Sequence, residues 1–385
     1  MNVKLIVALL LVGTSLPAQN TGAKSSGNWE NTSIWTAGTV PNSINNVYIG
    51  AGVPAAPTGT AASATVTLTA NESANNVFLG DGFSASGTLN LGGNKLTIGS
   101  ALDIGGPGGT GVLNEGGGSF TSGSVDVEGG SSLTFGSADV TGSLTVGQDG
   151  LGGTATTVAT GNVTGGVSVG NGTLAATLTA GADLNLSGSV SVQGPGASLN
   201  LQGHNLTATS LSAGTGGSVS NLGAVEVSEI QALNGGDLTL HPGDVVDSSM
   251  TLNGGGIVTV SQATGQLTGL TLNGTSASDL SISKFSDLDL TFGGQTTPSW
   301  IFRWADPTAG GNWISTIDSD ISSGNINVTA PHGYSVVDQG GYTYVESGGF
   351  TTATPEPAGG GILLGVGILA IAVLKRYSTR LNAGT

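Results

Sequence analysis

Read from residue 60 to about 292, the chain repeats one small unit, an apolar residue, a polar residue and another apolar residue. Val66-Thr67-Leu68, Leu89-Asn90-Leu91, Leu96-Thr97-Ile98, Val125-Asp126-Val127, Leu144-Thr145-Val146, Val190-Ser191-Val192, Leu199-Asn200-Leu201, Leu238-Thr239-Leu240 and Leu288-Asp289-Leu290 are examples. A period of two is the signature of a strand with one buried face. The spaces between triplets are filled with Gly, Asn, Asp and Ser, the residues that turns demand. Neighbouring triplets start 6 to 11 residues apart. Three such strands per coil predict a rung of about 20 to 25 residues, within the range of solenoid repeats. The body would then hold about ten rungs, stacked at about 4.8 Å each into a column about 50 Å long.

An antiparallel arrangement competes with this reading. Asp81-Gly82, Asp149-Gly150, Asn171-Gly172, Asn234-Gly235, Asn253-Gly254 and Asn273-Gly274 are hairpin dipeptides. Against a hairpin sandwich stand the very short strands and an aromatic content of 5%, too low for a sandwich core. The expectation is an all-β, single-stranded parallel β-helix, closed by a small α+β unit and followed by a C-terminal transmembrane helix.

Tryptophan marks the ends of the column. Trp29 and Trp35 lie near its start, Trp300, Trp304 and Trp313 near its end, and none lies between. The open ends of a solenoid need bulky, atypical plugs. Segment boundaries follow: 1–18 a signal peptide, 19–59 an N-terminal cap, 60–295 the repeat body, 296–350 a capping unit and 351–385 a tail. A helix is expected from Trp313 to Ser322, with strands around Tyr334–Val337 and Tyr342–Val345. The segment Asn46-Val47-Tyr48-Ile49-Gly50 is echoed by Asn76-Val77-Phe78-Leu79-Gly80. With the Trp pair and the turn at Val40-Pro41, this opening resembles the first segment of bacterial β-helix surface proteins related to autotransporter passengers.

Both termini carry apolar runs. Lys4 precedes Leu5 to Val12, and Ser15-Leu16-Pro17-Ala18 closes the run with a cleavage expected after Ala18 or near Ala23. At the other end, Gly359 to Leu374 holds sixteen uncharged residues followed by Lys375 and Arg376, a short span with a basic stop. Pro355-Glu356-Pro357 lies just upstream. This order of Pro-Glu-Pro, apolar segment and basic cluster resembles the PEP-CTERM sorting signal of Gram-negative surface proteins. The resemblance implies that an exosortase-type membrane protease acts at Pro355, Glu356 and Pro357 after export through the Sec translocon. The anchor at 359–374 would be transient, and the protein would end in the cell envelope, at the cell surface or in the extracellular matrix.

Charge and composition narrow the chemistry. There are 69 Gly and no Cys, so thiol catalysis, disulfides and thiolate metal sites are excluded. The net charge is −16, and between the targeting segments only Lys24, Lys95, Lys284 and Arg303 are basic. That excludes a phosphate-backbone footprint and hence nucleic acid. His204, His241 and His332 show no metal-ligand spacing. Gly106-Pro107-Gly108-Gly109-Thr110-Gly111 matches a dinucleotide pattern only formally, with no helix to follow. Asp126/Glu128, Asp244/Asp247 and Asp287/Asp289 are the carboxylate pairs a hydrolase would need, and they read as solvated surface. The expectation is a non-enzymatic structural or adhesive protein without cofactor or metal, whose partners beyond the export machinery are exopolysaccharide or other surface proteins. A carbohydrate-active β-helix enzyme and a ligand-specific adhesin are the alternatives.

Overall fold

The computed structural model describes residues 19–347, apart from 136–138, 148–154, 160–161, 171–174, 242, 263–268, 283–286, 295–298 and 309. Residues 1–18 and the whole tail, including Pro355, Glu356, Pro357, Lys375, Arg376 and the 359–374 segment, lie outside it. Among the described residues no helix is long and apolar enough to cross a membrane.

The described residues wind into a parallel β-solenoid of about ten turns, with one α-helix among them. All the triplets quoted above fall on its strands or end one residue beyond them. Each coil contributes to three faces. The first face is a ladder of thirteen parallel strands, from Gly27–Asn28 to Ile326–Thr329. Ser63 pairs with Ser86, Ser86 with Thr110, Ser198 with Ser218 and Ser218 with Asp237, so a central coil takes 19 to 24 residues. The second face begins with five short strands, from Glu72–Ala74 to Asn162–Val163. The third runs from Gln19–Gly22 through Asn45–Ile49, Asn76–Leu79, Ala101–Ile104 and Ser124–Val127 onward. From Leu206 the second and third faces fuse into nine-residue strands, Leu206–Gly214, Val225–Leu233 and Val245–Asn253.

In-register parallel pairing stacks like on like. On the first face Leu178, Leu199, Val219, Leu238, Val258, Leu288 and Ile326 stand one above the next, each at most 1% exposed. The sequence echo is a direct pairing of the same kind. Val47 opposes Val77 and Ile49 opposes Leu79 inside, while Tyr48 stacks on Phe78 with centroids 4.6 Å apart. Asn20, Asn46 and Asn76 form an amide ladder beside them, Asn46 Nδ2 donating to Asn20 Oδ1 at 3.0 Å and Asn76 Nδ2 to Asn46 Oδ1 at 2.9 Å.

Asp149-Gly150 and Asn171-Gly172 lie outside the described residues; at Asn234-Gly235 the hairpin dipeptide turns a corner instead of reversing the chain. Asn234 and Gly235 both take left-handed φ, +51° and +80°, between the third-face strand ending at Leu233 and the first-face strand starting at Asp237. A solenoid corner and a type I′ hairpin need the same backbone, so the dipeptide alone does not distinguish them. Antiparallel pairing among the named strands is confined to the C-terminal end, where Tyr334–Gln339 and Tyr342–Ser347 form a hairpin on Ser299–Ala305.

Tryptophans fill both ends. Trp29 and Trp35 are fully buried with edge-to-face rings, and Trp35 Nε1 donates to the Trp29 carbonyl at 2.7 Å. Trp304 is buried and stacks on Trp313 at 4.2 Å, just before the helix Ile314–Ser323. Trp300 departs from the expectation. Alternation along Ser299–Ala305 turns it outward, and it stays half-exposed.

Two measurements check these assignments. Leu201→Asp buries an unpaired charge at a fully buried position and should cost several kcal/mol, whereas Asn185→Lys on the exposed side should leave the melting temperature nearly unchanged. Gly80 has φ +67°, and an added Cβ would lie 1.9 Å from the Thr110 carbonyl oxygen of the next coil. Gly80→Ala should therefore destabilise by more than about 2 kcal/mol, against about 1 for Gly93→Ala, where φ is also positive but no atom is near.

Candidate functional site

The second face narrows at its middle. Asp139–Val140, Asn162–Val163 and Leu184–Asn185 are strands of only two residues, each placing one apolar side chain inward and one short polar side chain outward. Short outward groups on successive coils leave a groove. Its first part, about 460 Å³, is lined by Thr121, Asp139, Asn162, Thr164, Asp183 and Asn185. The second, about 380 Å³, shares Asp183 and Asn185 and continues past Asn205, Thr207 and Glu226 to Val245.

Hydrogen bonds between coils fix this lining. Asn162 Nδ2 donates to Asp139 Oδ1 at 3.0 Å, and Asn205 donates to Asp183 through its backbone N (2.9 Å) and Nδ2 (3.3 Å). Asn205 Oδ1 in turn accepts from Ala224 N at 2.9 Å. His204 Nδ1 stands 3.5 Å from Asp183 Oδ1. The groove is a row of fixed amides, hydroxyls and carboxylates repeated at the coil spacing, suited to many weak hydrogen bonds with an extended polyhydroxylated chain.

A second group of carboxylates lies on the third face. Asp103 and Asp126 are register partners on adjacent coils, and Phe78 is the next residue down the column. Burial, then the charges of Asp126 and Asp81, push the Asp103 carboxyl up to about 7. Burial also raises Asp81, and burial with the charges of Asp81 and Asp103 raises the Tyr48 hydroxyl. Sequence reasoning paired residues two apart along a strand and so missed Asp103, whose partner is 23 positions away. The signal was present as two apolar-Asp-apolar triplets, Leu102-Asp103-Ile104 and Val125-Asp126-Val127, one coil apart.

The other expected candidates resolve into structure. Asp287 and Asp289 share an outward side, and Asn327 Nδ2 donates to both, at 3.3 and 3.1 Å. Asp244 is not solvated surface. It is 1% exposed and accepts from His241 N at 2.8 Å and Val225 N at 2.9 Å, closing a corner onto the preceding coil. Burial outweighs those two bonds and holds its carboxyl up at about 6. The glycine-rich segment at 106–111 is a tight turn, with a Gly106–Gly109 bridge leading into the strand Thr110–Asn114. Among the described residues no three His, Asp or Glu side chains are grouped to hold a metal ion. No family model, curated protein or solved structure matches the chain.

A pH dependence follows from Asp103 and Asp244. Both bind a proton more tightly folded, at about 7 and 6, than in an open chain near 3.8. Their protonation therefore favours the fold, fully below about pH 4, and that contribution is lost as pH rises through 6 to 7. The melting temperature should be higher at pH 5 than at pH 8, and Asp103→Asn should raise it at pH 8 while changing it little at pH 5. A flat profile in wild type and variant would contradict the burial of these groups.

Proposed function

We propose that the chain is an exported, non-catalytic surface or matrix protein that holds a linear, polyhydroxylated polymer, an exopolysaccharide, along the second face of its solenoid. The observation that carries the reading is the groove from Thr121 to Val245, where fixed polar groups recur coil after coil. The acidic, hydroxyl-rich exterior supports it, because such a surface stays soluble and extended outside the cell. Export rests on the leader at 1–18. Sorting rests on Pro355-Glu356-Pro357, the 359–374 run, Lys375 and Arg376, with an exosortase-type membrane protease and the Sec translocon as partners. The proposed location is the envelope, surface or matrix of a Gram-negative bacterium.

A second reading, glycoside hydrolysis, has one observation in its favour. Asp103 and Asp126 face each other across adjacent coils, and the environment of Asp103 suits a general acid. Retaining hydrolases hold two carboxyl groups about 5 to 5.5 Å apart and keep one of them protonated. The recurring polar groups of the second-face groove favour the binding role.

Intact-mass analysis of the mature product tests the sorting claim. It should lack everything beyond the Pro355-Glu356-Pro357 region, and recovery of Lys375 and Arg376 in that product would overturn it. For the binding role, the secreted protein should retain neutral exopolysaccharide in a pull-down without generating new reducing ends. Release of reducing ends, abolished by Asp103→Asn, would promote the hydrolase reading.

A further inference from the structure

One cation interrupts the acidic surface at the end of the groove. In the register of the second face, Asn185 opposes Thr207, Thr207 opposes Glu226, Glu226 opposes Val245, Val245 opposes Thr271 and Thr271 opposes Arg303. Arg303 therefore ends the same register column whose earlier members line the groove, two coils beyond Val245 and past the buried Thr271, about 10 Å at the usual strand spacing. Its Nε donates to Thr271 Oγ1 at 2.9 Å.

The guanidinium sits among aromatic rings. Its carbon lies 4.7 Å from the Trp300 ring centre and 4.3 Å from that of Tyr342. Tyr344, the register partner of Arg303 on the neighbouring strand, meets Trp300 edge-on at 5.7 Å. All four side chains are half-exposed on the outer side of one sheet. Among the described residues Arg303 makes no ion pair, and only its Nε has an acceptor. Of the acids around this sheet, Asp306 accepts from Thr343 and Asp338 from Asn312, while Glu346, the register partner of Trp300, stands half-buried at the platform's edge with its carboxyl raised by burial, which disfavours its charged form.

The geometry points to a binding site for a carboxylate-bearing sugar, a uronic-acid residue within an otherwise neutral glycan, with Arg303 as its carboxylate receptor and Trp300, Tyr342 and Tyr344 as its platform. A guanidinium offers paired N–H donors matched to a carboxylate. Aromatic faces beside it accept the flat, C–H-rich side of a pyranose ring while the polar edges stay hydrated. An acidic peptide fits less well. The platform is a sheet face whose backbone groups are already paired, so an extended peptide finds no main-chain partner there. A densely charged polyanion is opposed by the net charge of −16, whereas one carboxylate is not, since remote surface charges are screened beyond about 8 Å at physiological ionic strength.

This inference rests on the proposed polymer-binding role, because the groove leads the glycan to the platform, and the test separates the two. The full chain in neutral detergent is titrated with a neutral oligosaccharide carrying one glucuronic-acid residue and with its carboxyl-reduced counterpart. The acid form should bind at least tenfold more tightly. Arg303→Gln should abolish that preference, Arg303→Lys should restore part of it, and Trp300→Ala should weaken both forms alike. Equal binding of the two sugars by wild type, or a preference that survives Arg303→Gln, overturns the platform assignment and leaves the groove reading standing. Binding of neither form overturns both, and a glutamate-rich peptide that matches the acid sugar assigns the site to protein instead. Should Arg303→Gln melt early, the wild-type comparison of the two sugars decides alone.

Discussion

Parallel pairing of each coil with the next, residue on equivalent residue, is the constraint on which the rest of this molecule depends. The hydrogen bonds between coils run along the stack, so every backbone group of an inner strand finds its partner one coil away and no disulfide is needed. The same pairing forces each side chain to sit on the equivalent side chain of its neighbour. Inside, aliphatic ladders such as Leu178 to Ile326 result. Outside, amides, hydroxyls and carboxylates line up in columns. The low aromatic content is then a consequence, because a thin interior between three faces has room for Val and Leu, with Trp admitted at the two ends.

Surface function inherits the same geometry. A column of polar groups repeated at the coil spacing is a linear array by construction, and the two-residue strands at Asp139, Asn162 and Leu184 cut it into a groove. Equivalent stacking also creates tension. Asp103 over Asp126 puts two carboxyl groups in register on adjacent coils, and burial followed by that neighbouring charge raises the Asp103 carboxyl to about 7. Where stacking stops, at Ser299–Ala305, the antiparallel hairpin brings Tyr342 and Tyr344 onto the column and surrounds its last residue, Arg303, with rings.

Much of the fold was legible in the sequence, because alternation and turn chemistry are local. The triplets, the rung length, the echo of residues 46–50 in 76–80 and the helix near residue 314 all rest on neighbours along the chain. What eluded the sequence depends on the coil-to-coil register. The partnership of Asp103 with Asp126, the alignment of Asn185 through Thr271 with Arg303, and the burial of Asp244 each join residues about one coil apart or more. A few residues of error in coil length would move every one of these contacts to a different partner. Trp300 illustrates a second limit: it shares a sequence cluster with the buried Trp304 and the partly buried Trp313, and only its phase along the strand sends it outward.

The most direct test of this account is to remove one coil. Ser198 pairs with Ser218, so excising Ser198–Gly217 deletes a complete turn and brings Val190, Leu184 and Thr177 opposite Ile230, Val225 and Ser218. The shortened chain should keep a β-sheet circular dichroism spectrum and melt in one cooperative step, whereas excising only Ser198–Thr207 should abolish the transition. Loss of folding in the whole-coil deletion, or equal tolerance of both deletions, would contradict a stack held by register between successive coils.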